Sequence, residues 1–256
     1  MKYLVLSDIH ANAEALEAAL EAADAYDRLL ILGDLVGYGA DPNRVIERLR
    51  ALPVEALIRG NHDKVGVGLE GMESFNDIAR RAIEWTRTTL TADNHSWLAA
   101  LPRGPLEVDE VVEICHGAPF DEDEYVFDHL GALRSLRTAT RPLCLFGHTH
   151  VPAAYRLRMR QSGSGQLLPS TGPVEAIGPL GDDFQIEMNN EWRCLVNCGA
   201  VGQPRDGDAR AAFGLFDTDA RTLTLKRTEY DVPAAQAKIL KAGLPELLAR
   251  RLAVGR

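Results

Sequence analysis

The strongest constraint in this chain is an alternation: short, almost uninterrupted aliphatic runs, each followed by a stretch of helical spacing, repeat through the first 150 residues. Residues 2–7 (KYLVLS) read as a buried strand, and behind Asn12, a candidate N-cap, Leu16, Ala19, Leu20 and Ala23 recur at helical spacing. Residues 28–33 repeat the strand pattern. Asp41-Pro42 opens a second helix with a capping carboxylate and proline at its first position, and 54–59 form a third strand. The stretch 74–101 predicts two consecutive helices, followed by a strand ending at Cys115, a helix over 126–138 and a strand over 142–146. Strands that are apolar along their whole length belong in a sheet covered on both faces, and the intervening helices supply the cover.

From residue 153 the period changes. Strands are predicted over 154–160, 184–188, 191–197, 211–216 and 222–230, several joined by hairpin-like turns such as Asn189-Asn190, which suggests a second sheet packed on the first. The Gly-, Ser- and Pro-rich segment 161–183 reads as a loop or weakly ordered hairpin, and helical patterns over 234–242 and 245–252 close the chain. No repeat and no long linker divides it. The expectation is one domain over 1–256, with a βα half over 1–150, a β-rich half over 151–230 and C-terminal helices over 231–256.

An apolar fraction of 46% with 25% charged residues supports a packed core. The formal charge of −9 opposes binding to a long nucleic acid, which needs Lys and Arg to neutralise phosphates. The opening apolar run stops at Ser7, Asp8 and His10, too early for a membrane span or a signal-peptide core, and no basic amphipathic helix points to a membrane partner. Cys115, Cys144, Cys194 and Cys198 show no C-x-x-C spacing and read as buried thiols of a cytoplasmic protein. The sequence leaves the oligomeric state open.

The residues that close the apolar runs carry the chemistry. Asp8 and His10 follow the first, Asp34 the second, Asn61 the third, His116 the next, and His148 and His150 the last. Ligands of open α/β sheets gather outside the carboxyl ends of strands, so these ends can converge. Each piece alone is ordinary, since Asp8 could simply cap the helix after it. The joint order is not: of seven histidines, His10, His62, His116, His148 and His150 fall in these blocks, while His95 and His129 sit on helical patterns and read as structural or solvated. Gly33, Gly60, Gly117 and Gly147 lie at strand-to-loop transitions, either as ordinary turn residues or where a close approach forbids a Cβ.

The blocks Asp8-Ile9-His10, Gly33-Asp34, Gly60-Asn61-His62-Asp63, His116 and Gly147-His148-Thr149-His150 together resemble the calcineurin-like metallophosphoesterase superfamily. The run 33–39 (GDLVGYG) is similar to its bacterial and archaeal phosphodiesterase-like branch. The resemblance implies an α/β fold of two packed mixed sheets flanked by helices, a four-layer sandwich, with two divalent cations at one edge. Carried over residue by residue, Asp8, His10 and His150 would hold one cation and Asn61, His116 and His148 the other, with Asp34 bridging both.

Imidazole nitrogens with carboxylate and amide oxygens, and no thiolate, form a borderline donor set suited to Mn, Fe, Co, Ni or Zn. Two carboxylates and an amide tilt the preference toward Mn or Fe, although intrinsic affinity favours Zn. Two such ions about 3.5–4 Å apart activate a shared water and stabilise both oxygens of an in-line displacement at phosphorus. His62, not needed as a ligand, is expected to protonate the leaving alkoxide, with Asp63 either orienting its imidazole or merely capping a helix. Arg59 and Arg205 are either bidentate partners of phosphate oxygens or surface residues, and Tyr38 is a further candidate substrate contact.

Gly37 and Tyr38 stand where serine/threonine phosphoprotein phosphatases of the superfamily carry Asp-Arg, and Gly37 where purple acid phosphatases carry a tyrosine ligand. The reading is therefore a hydrolase of a phosphodiester or of a small, nucleotide-like phosphorylated substrate. A protein phosphatase stands second. A catalytically silent metal-binding scaffold stands third, opposed by the presence of every expected ligand and of His62.

Overall fold

The structure, a computed structural model, describes all residues except 24, 162 and 164–166. In chain order the elements of the first part are β1 (Lys2–Leu6), α1 (Ala13–Ala22), β2 (Arg28–Ile31), α2 (Pro42–Arg50), β3 (Val54–Leu57), α3 (Asn61–Gly66), α4 (Asp77–Thr89) and α5 (Ala92–Ala99). Then come β4 (Leu106–Glu107), β5 (Val112–Ile114), α6 (His129–Thr138), β6 (Leu143–Phe146), β7 (Ala153–Gln161), β8 (Leu167–Pro169) and β9 (Glu175–Ala176). The chain closes with β10 (Gln185–Glu187), β11 (Trp192–Asn197), β12 (Ala211–Asp217), β13 (Thr222–Thr228), α7 (Val232–Lys241) and α8 (Glu246–Leu252).

One sheet runs β10-β13-β12-β1-β2-β3, and the other β4-β5-β6-β11-β7-β8 with β9 also paired to β7. The centres are parallel: β1 with β2 and β2 with β3 across helices, β5 with β6 across α6, and β6 with β11 across the strands β7 to β10; the flanks are antiparallel. Side chains alternate between faces, which builds the layers. Tyr3, Val5, Leu30 and Phe216 meet Val112, Ile114, Leu143 and Leu145 between the sheets. On the outer face of the first sheet Leu4, Leu6, Leu29 and Ile31 pack on Leu16 of α1, Val45 and Ile46 of α2 and Leu98 of α5. On the outer face of the second, Cys144, Phe146 and Leu195 pack on Ala132 and Leu136 of α6. The result is one domain of two packed mixed sheets flanked by helices.

The later strands do not form a sheet of their own. β10, β12 and β13 extend the first sheet, and β7, β8, β9 and β11 join the second. The Asn189-Asn190 turn is therefore not a hairpin: β10 pairs with β13 and β11 with β6 and β7, so the turn carries the chain from one sheet to the other. Its local chemistry is that of a turn, Asn189 Oδ1 accepting from Glu191 N at 3.0 Å. Burial chose the partners, with Ile186 opposite Leu223 in the inter-sheet core. In the segment 161–183, β8 and β9 both pair with β7, while 162 and 164–166 lie outside the described residues.

Asn12 caps α1, its side chain accepting from Ala15 N at 3.1 Å. Asp41 does not cap α2, although Pro42 opens that helix. Its carboxylate is drawn instead to Lys238 Nζ of α7 at 2.5 Å, and an ammonium is the stronger partner. His95 lies half-buried on α5 and His129 exposed at the start of α6. Among the described residues no helix is long and apolar enough to cross a membrane.

Candidate metal centre

The carboxyl ends of β1, β2, β3, β5 and β6 open on one edge of the sandwich, and the residues just beyond them meet there. Asp8, His10, Asp34 and His150 form one buried group able to hold a cation, and Asp34, His116 and His148 another; within each the ligand atoms lie within 4.8 Å of one another. Asp34 belongs to both. Its Oδ2 lies 3.5 Å from His10 Nε2 and 3.4 Å from His116 Nε2. His150 Nε2 is 3.4 Å from Asp8 Oδ1, and Asn61, the first residue of α3, places Oδ1 3.1 Å from His116 Nε2.

Backbone carbonyls fix the imidazoles. Val36 O lies 3.0 Å from His10 Nδ1, Leu32 O 2.8 Å from His116 Nδ1 and Gln203 O 2.6 Å from His150 Nδ1. A carbonyl can only accept, so each Nδ1 carries the hydrogen and each Nε2 turns toward the carboxylates. His148 is reversed: its Nε2 donates to Asp123 O at 3.1 Å, which leaves Nδ1 for the site.

The donor set fits cations. His10 Nε2 and His150 Nε2 approach to 3.1 Å although, with both Nδ1 atoms protonated, neither has a hydrogen to give the other. Asp34 Oδ2 is buried with no hydrogen-bond partner. A positive ion among these atoms supplies what both arrangements lack.

Electrostatics prepare the same state. Burial raises the Asp34 carboxyl, but His116, His62 and His10 outweigh it and hold the group well below the usual carboxylate range. Burial keeps His10 and His150 neutral and lowers His148 to about 3. His116 is the exception: burial lowers it, yet the Asp34 charge prevails and pushes it to about 10.

The backbone is strained at the ligands. Nine non-glycine residues among those described have positive φ, and they include Asp8 (53°), His10 (48°), Asp34 (53°), His148 (66°) and His150 (59°). Left-handed backbone at side chains other than glycine costs of order 1–3 kcal/mol each and persists only where the surroundings enforce it. Gly60 and Gly147 serve by close approach: a Cβ at Gly60 would stand 2.1 Å from Asp34 Oδ1, and one at Gly147 2.0 Å from Ser7 Oγ.

His62 is buried between rings, 4.4 Å from Tyr38, 4.7 Å from Phe75 and 4.8 Å from His10, centre to centre. Its main-chain N–H donates to Asp34 Oδ1 at 2.8 Å. Asp63 does not orient the His62 ring. Its Oδ1 accepts from Leu35 N and Val36 N at 2.9 and 3.1 Å and its Oδ2 from Gly60 N at 2.9 Å, while His62 Nδ1 has no partner. Three orphan amides at a helix start and a tight loop claim the carboxylate first, so Asp63 ties the Asp34 loop to the Asn61 turn.

Arg59 is likewise engaged elsewhere, in a two-pronged pair with Glu122 at 3.1 and 3.3 Å. Tyr38 and Arg205 lie at the centre, the Arg205 guanidinium carbon 5.6 Å from the Tyr38 ring centre. Sequence reasoning missed Lys64 and Tyr125. Lys64 is buried and gathers Asp123, Glu70 and Glu122 at 2.5, 2.7 and 3.3 Å, which anchors the loop whose carbonyl holds His148. Tyr125 stacks on His148 with centres 3.8 Å apart. The aromatic pair Tyr125 and Phe127 beside the acidic run 121–124 was the available signal.

The model of the calcineurin-like phosphoesterase superfamily domain matches residues 1–221, and the chain belongs to that superfamily. A protein of Methanocaldococcus jannaschii, named only as the uncharacterised protein MJ0912, is 34% identical over 262 residues, 98% of this chain and 97% of its own. The crystal structure of a metallophosphoesterase from Sphaerobacter thermophilus superposes with a TM-score of 0.83 at 36% identity, covering 100% of this chain and 99% of that one. A hypothetical protein of Pyrococcus horikoshii shares the fold, with a TM-score of 0.74 at 20% identity over 100% of this chain and 98% of its own.

Proposed function

We propose that the protein is a dinuclear metal-dependent phosphoesterase acting on a phosphodiester or a small, nucleotide-like phosphorylated substrate in the cytoplasm. The observation that carries the reading is the sharing of Asp34 between two ligand groups whose free imidazole nitrogens point inward. Asp8, His10 and His150 would hold one ion and Asn61, His116 and His148 the other, with the two carboxylates and the amide oxygen tilting the preference toward Mn or Fe. Two divalent cations there supply Lewis acidity and an activated water for in-line attack at phosphorus.

The protein's own groups do the rest. His62 lines a cleft of about 210 Å³ with Tyr38, Asn61, Phe75, Tyr125 and His148. Burial lowers its pKa to about 4, so near neutrality the ring is uncharged before a substrate binds. A phosphate anion bound beside it favours the imidazolium, which takes its proton from solvent, gives it to the leaving oxygen and returns to the neutral ring. Arg205, whose Nε is buried without a partner, stands ready to donate to phosphate oxygens. The buried free thiols Cys115, Cys144, Cys194 and Cys198 accord with a reducing compartment.

The test is metal analysis of the purified protein, then turnover on phosphodiesters, phosphomonoesters, cyclic nucleotides, dinucleoside polyphosphates and phosphopeptides. Metal-dependent hydrolysis that favours diesters or nucleotides is expected, and Asp34→Asn should abolish it. Preferred release of phosphate from phosphopeptides would install the protein phosphatase reading instead. No turnover on any of them after loading with Mn, Fe, Co, Ni or Zn would leave a silent scaffold.

A further inference from the structure

Beside the centre lies a pair of cations that the chemistry above does not use in full. The guanidinium carbons of Arg205 and of Arg251, on α8, stand 5.6 and 5.9 Å from the centre of the same Tyr38 ring. That ring packs in turn 4.7 Å from His10 and 4.4 Å from His62. Among the described residues neither arginine has an Asp or Glu side chain within ion-pair distance: Arg205 donates to Gln203 Oε1 at 3.0 Å, and Arg251 to an oxygen of Arg256, the last residue described. Arg250, next in sequence, is by contrast neutralised by Glu246 at 2.7 Å.

Two like charges that no acidic side chain pairs, both partly buried, repel one another. Burial and then the charge of Arg205 lower the Arg251 guanidinium below its ordinary range. The fold keeps them together even so, in a protein of net charge −9 that has carboxylates to spare. An anion between them would relieve the repulsion and satisfy Arg205 Nε, which is buried without a partner.

The placement says which anion. Arg205 N is bonded to His150 O at 3.2 Å, so Arg205 belongs to the metal edge. Arg251 lines a second cleft of about 470 Å³, with Tyr38, Asn76, Leu247, Arg250 and Val254. The two clefts adjoin, sharing Tyr38 and Asn76. A substrate with its scissile phosphorus at Asp34 and a further anionic group over Tyr38 would extend from one into the other. We propose that Arg251 and Arg205 form an anion subsite for a second phosphate, so that the preferred substrates are esters carrying a diphosphate or longer chain rather than one phosphate. This rests on the phosphoesterase reading for its catalytic part. Arg251 lies outside the residues 1–221 matched to the family, so the subsite is a property of this chain's C-terminal helices.

The test separates subsite from catalysis. Inorganic pyrophosphate is titrated into EDTA-treated protein by calorimetry, with Arg251→Gln, Arg251→Lys and Arg205→Met compared, and folding of each checked by thermal unfolding. The metal-free wild type should bind pyrophosphate, and Arg251→Gln and Arg205→Met should weaken binding roughly tenfold to a hundredfold, the range for a lost charge-assisted contact. Arg251→Lys should fall between, keeping the charge but losing the fork. In the metal-loaded enzyme, Arg251→Gln should lower the ratio of kcat/KM for a nitrophenyl diphosphate ester over a nitrophenyl monophosphate diester by about tenfold or more, mainly through KM. No pyrophosphate binding by the wild type, or unchanged binding by a folded Arg251→Gln, overturns the subsite even if diesters are hydrolysed. Binding that depends on Arg251 in a protein without turnover upholds it while the catalytic reading fails.

Discussion

At the scale of single residues, His62 and His116 make separable predictions. His62 touches neither ligand group through its ring nitrogens, so His62→Ala should keep both metals by elemental analysis. It should lose on the order of 10²–10⁴ in turnover on an ester with a poor leaving group, and much less on a nitrophenyl ester whose oxygen needs no proton. Equal losses on both would remove the ring from proton transfer. His116 governs loading. In the metal-free protein Asp34 holds its pKa at about 10 against the effect of burial, so below that pH the ring carries a proton that a cation must expel. Metal affinity should therefore rise with pH across the neutral range. At pH 7.5 calorimetry in buffers of different ionisation enthalpy should register proton release, and a binding heat independent of the buffer would contradict it. Asp63 shows why residue roles are hard to read from a string of letters. Its place after His62 is visible, but the three amides that claim it come from the folding back of residues 35, 36 and 60.

At the scale of elements, the α7 helix docks through Lys238, whose Nζ reaches Glu14 of α1 at 2.6 Å and Asp41 at the start of α2 at 2.5 Å. The lysine side chain is 34% exposed, so solvent screens the pair and its worth is about 1 kcal/mol or less. A buried leucine contributes about 1.5–3 kcal/mol, so the pair fixes where α7 sits more than whether the protein folds. Lys238→Met should lower Tm by about 2–4 °C. Asp41→Asn should add less on top of it than alone, because the two share one interaction; full additivity in a double-mutant cycle would show that Asp41 acts elsewhere. Periodicity made the helices and strands legible, since it reports which face of an element is buried. It could not say that Asp41 answers to Lys238 rather than to its own helix, nor that α8 brings Arg251 to Tyr38. Both depend on contacts across some two hundred residues of sequence.

At the scale of the molecule, the candidate ligands were legible because each closes a strand, and strand ends of two packed sheets meet at one edge. The partnering of the later strands was not, since a turn such as Asn189-Asn190 is chemically the same whether the chain returns to its neighbour or crosses to another layer. That crossing matters for the whole. β1 lies between β12 and β2, and β11 lies between β6 and β7. A fragment ending at residue 150 would contain every candidate ligand, yet both β1 and β6 would lose a neighbour and expose a hydrogen-bonding edge. It should show no cooperative thermal transition and no stoichiometric metal uptake; a folded, metal-loaded fragment would contradict this. Tailoring by truncation is thus closed to this scaffold, and variation must come through loops and side chains. A lineage could exchange what its tail presents to the cleft, but it could not shed the strands that hold the tail's host together.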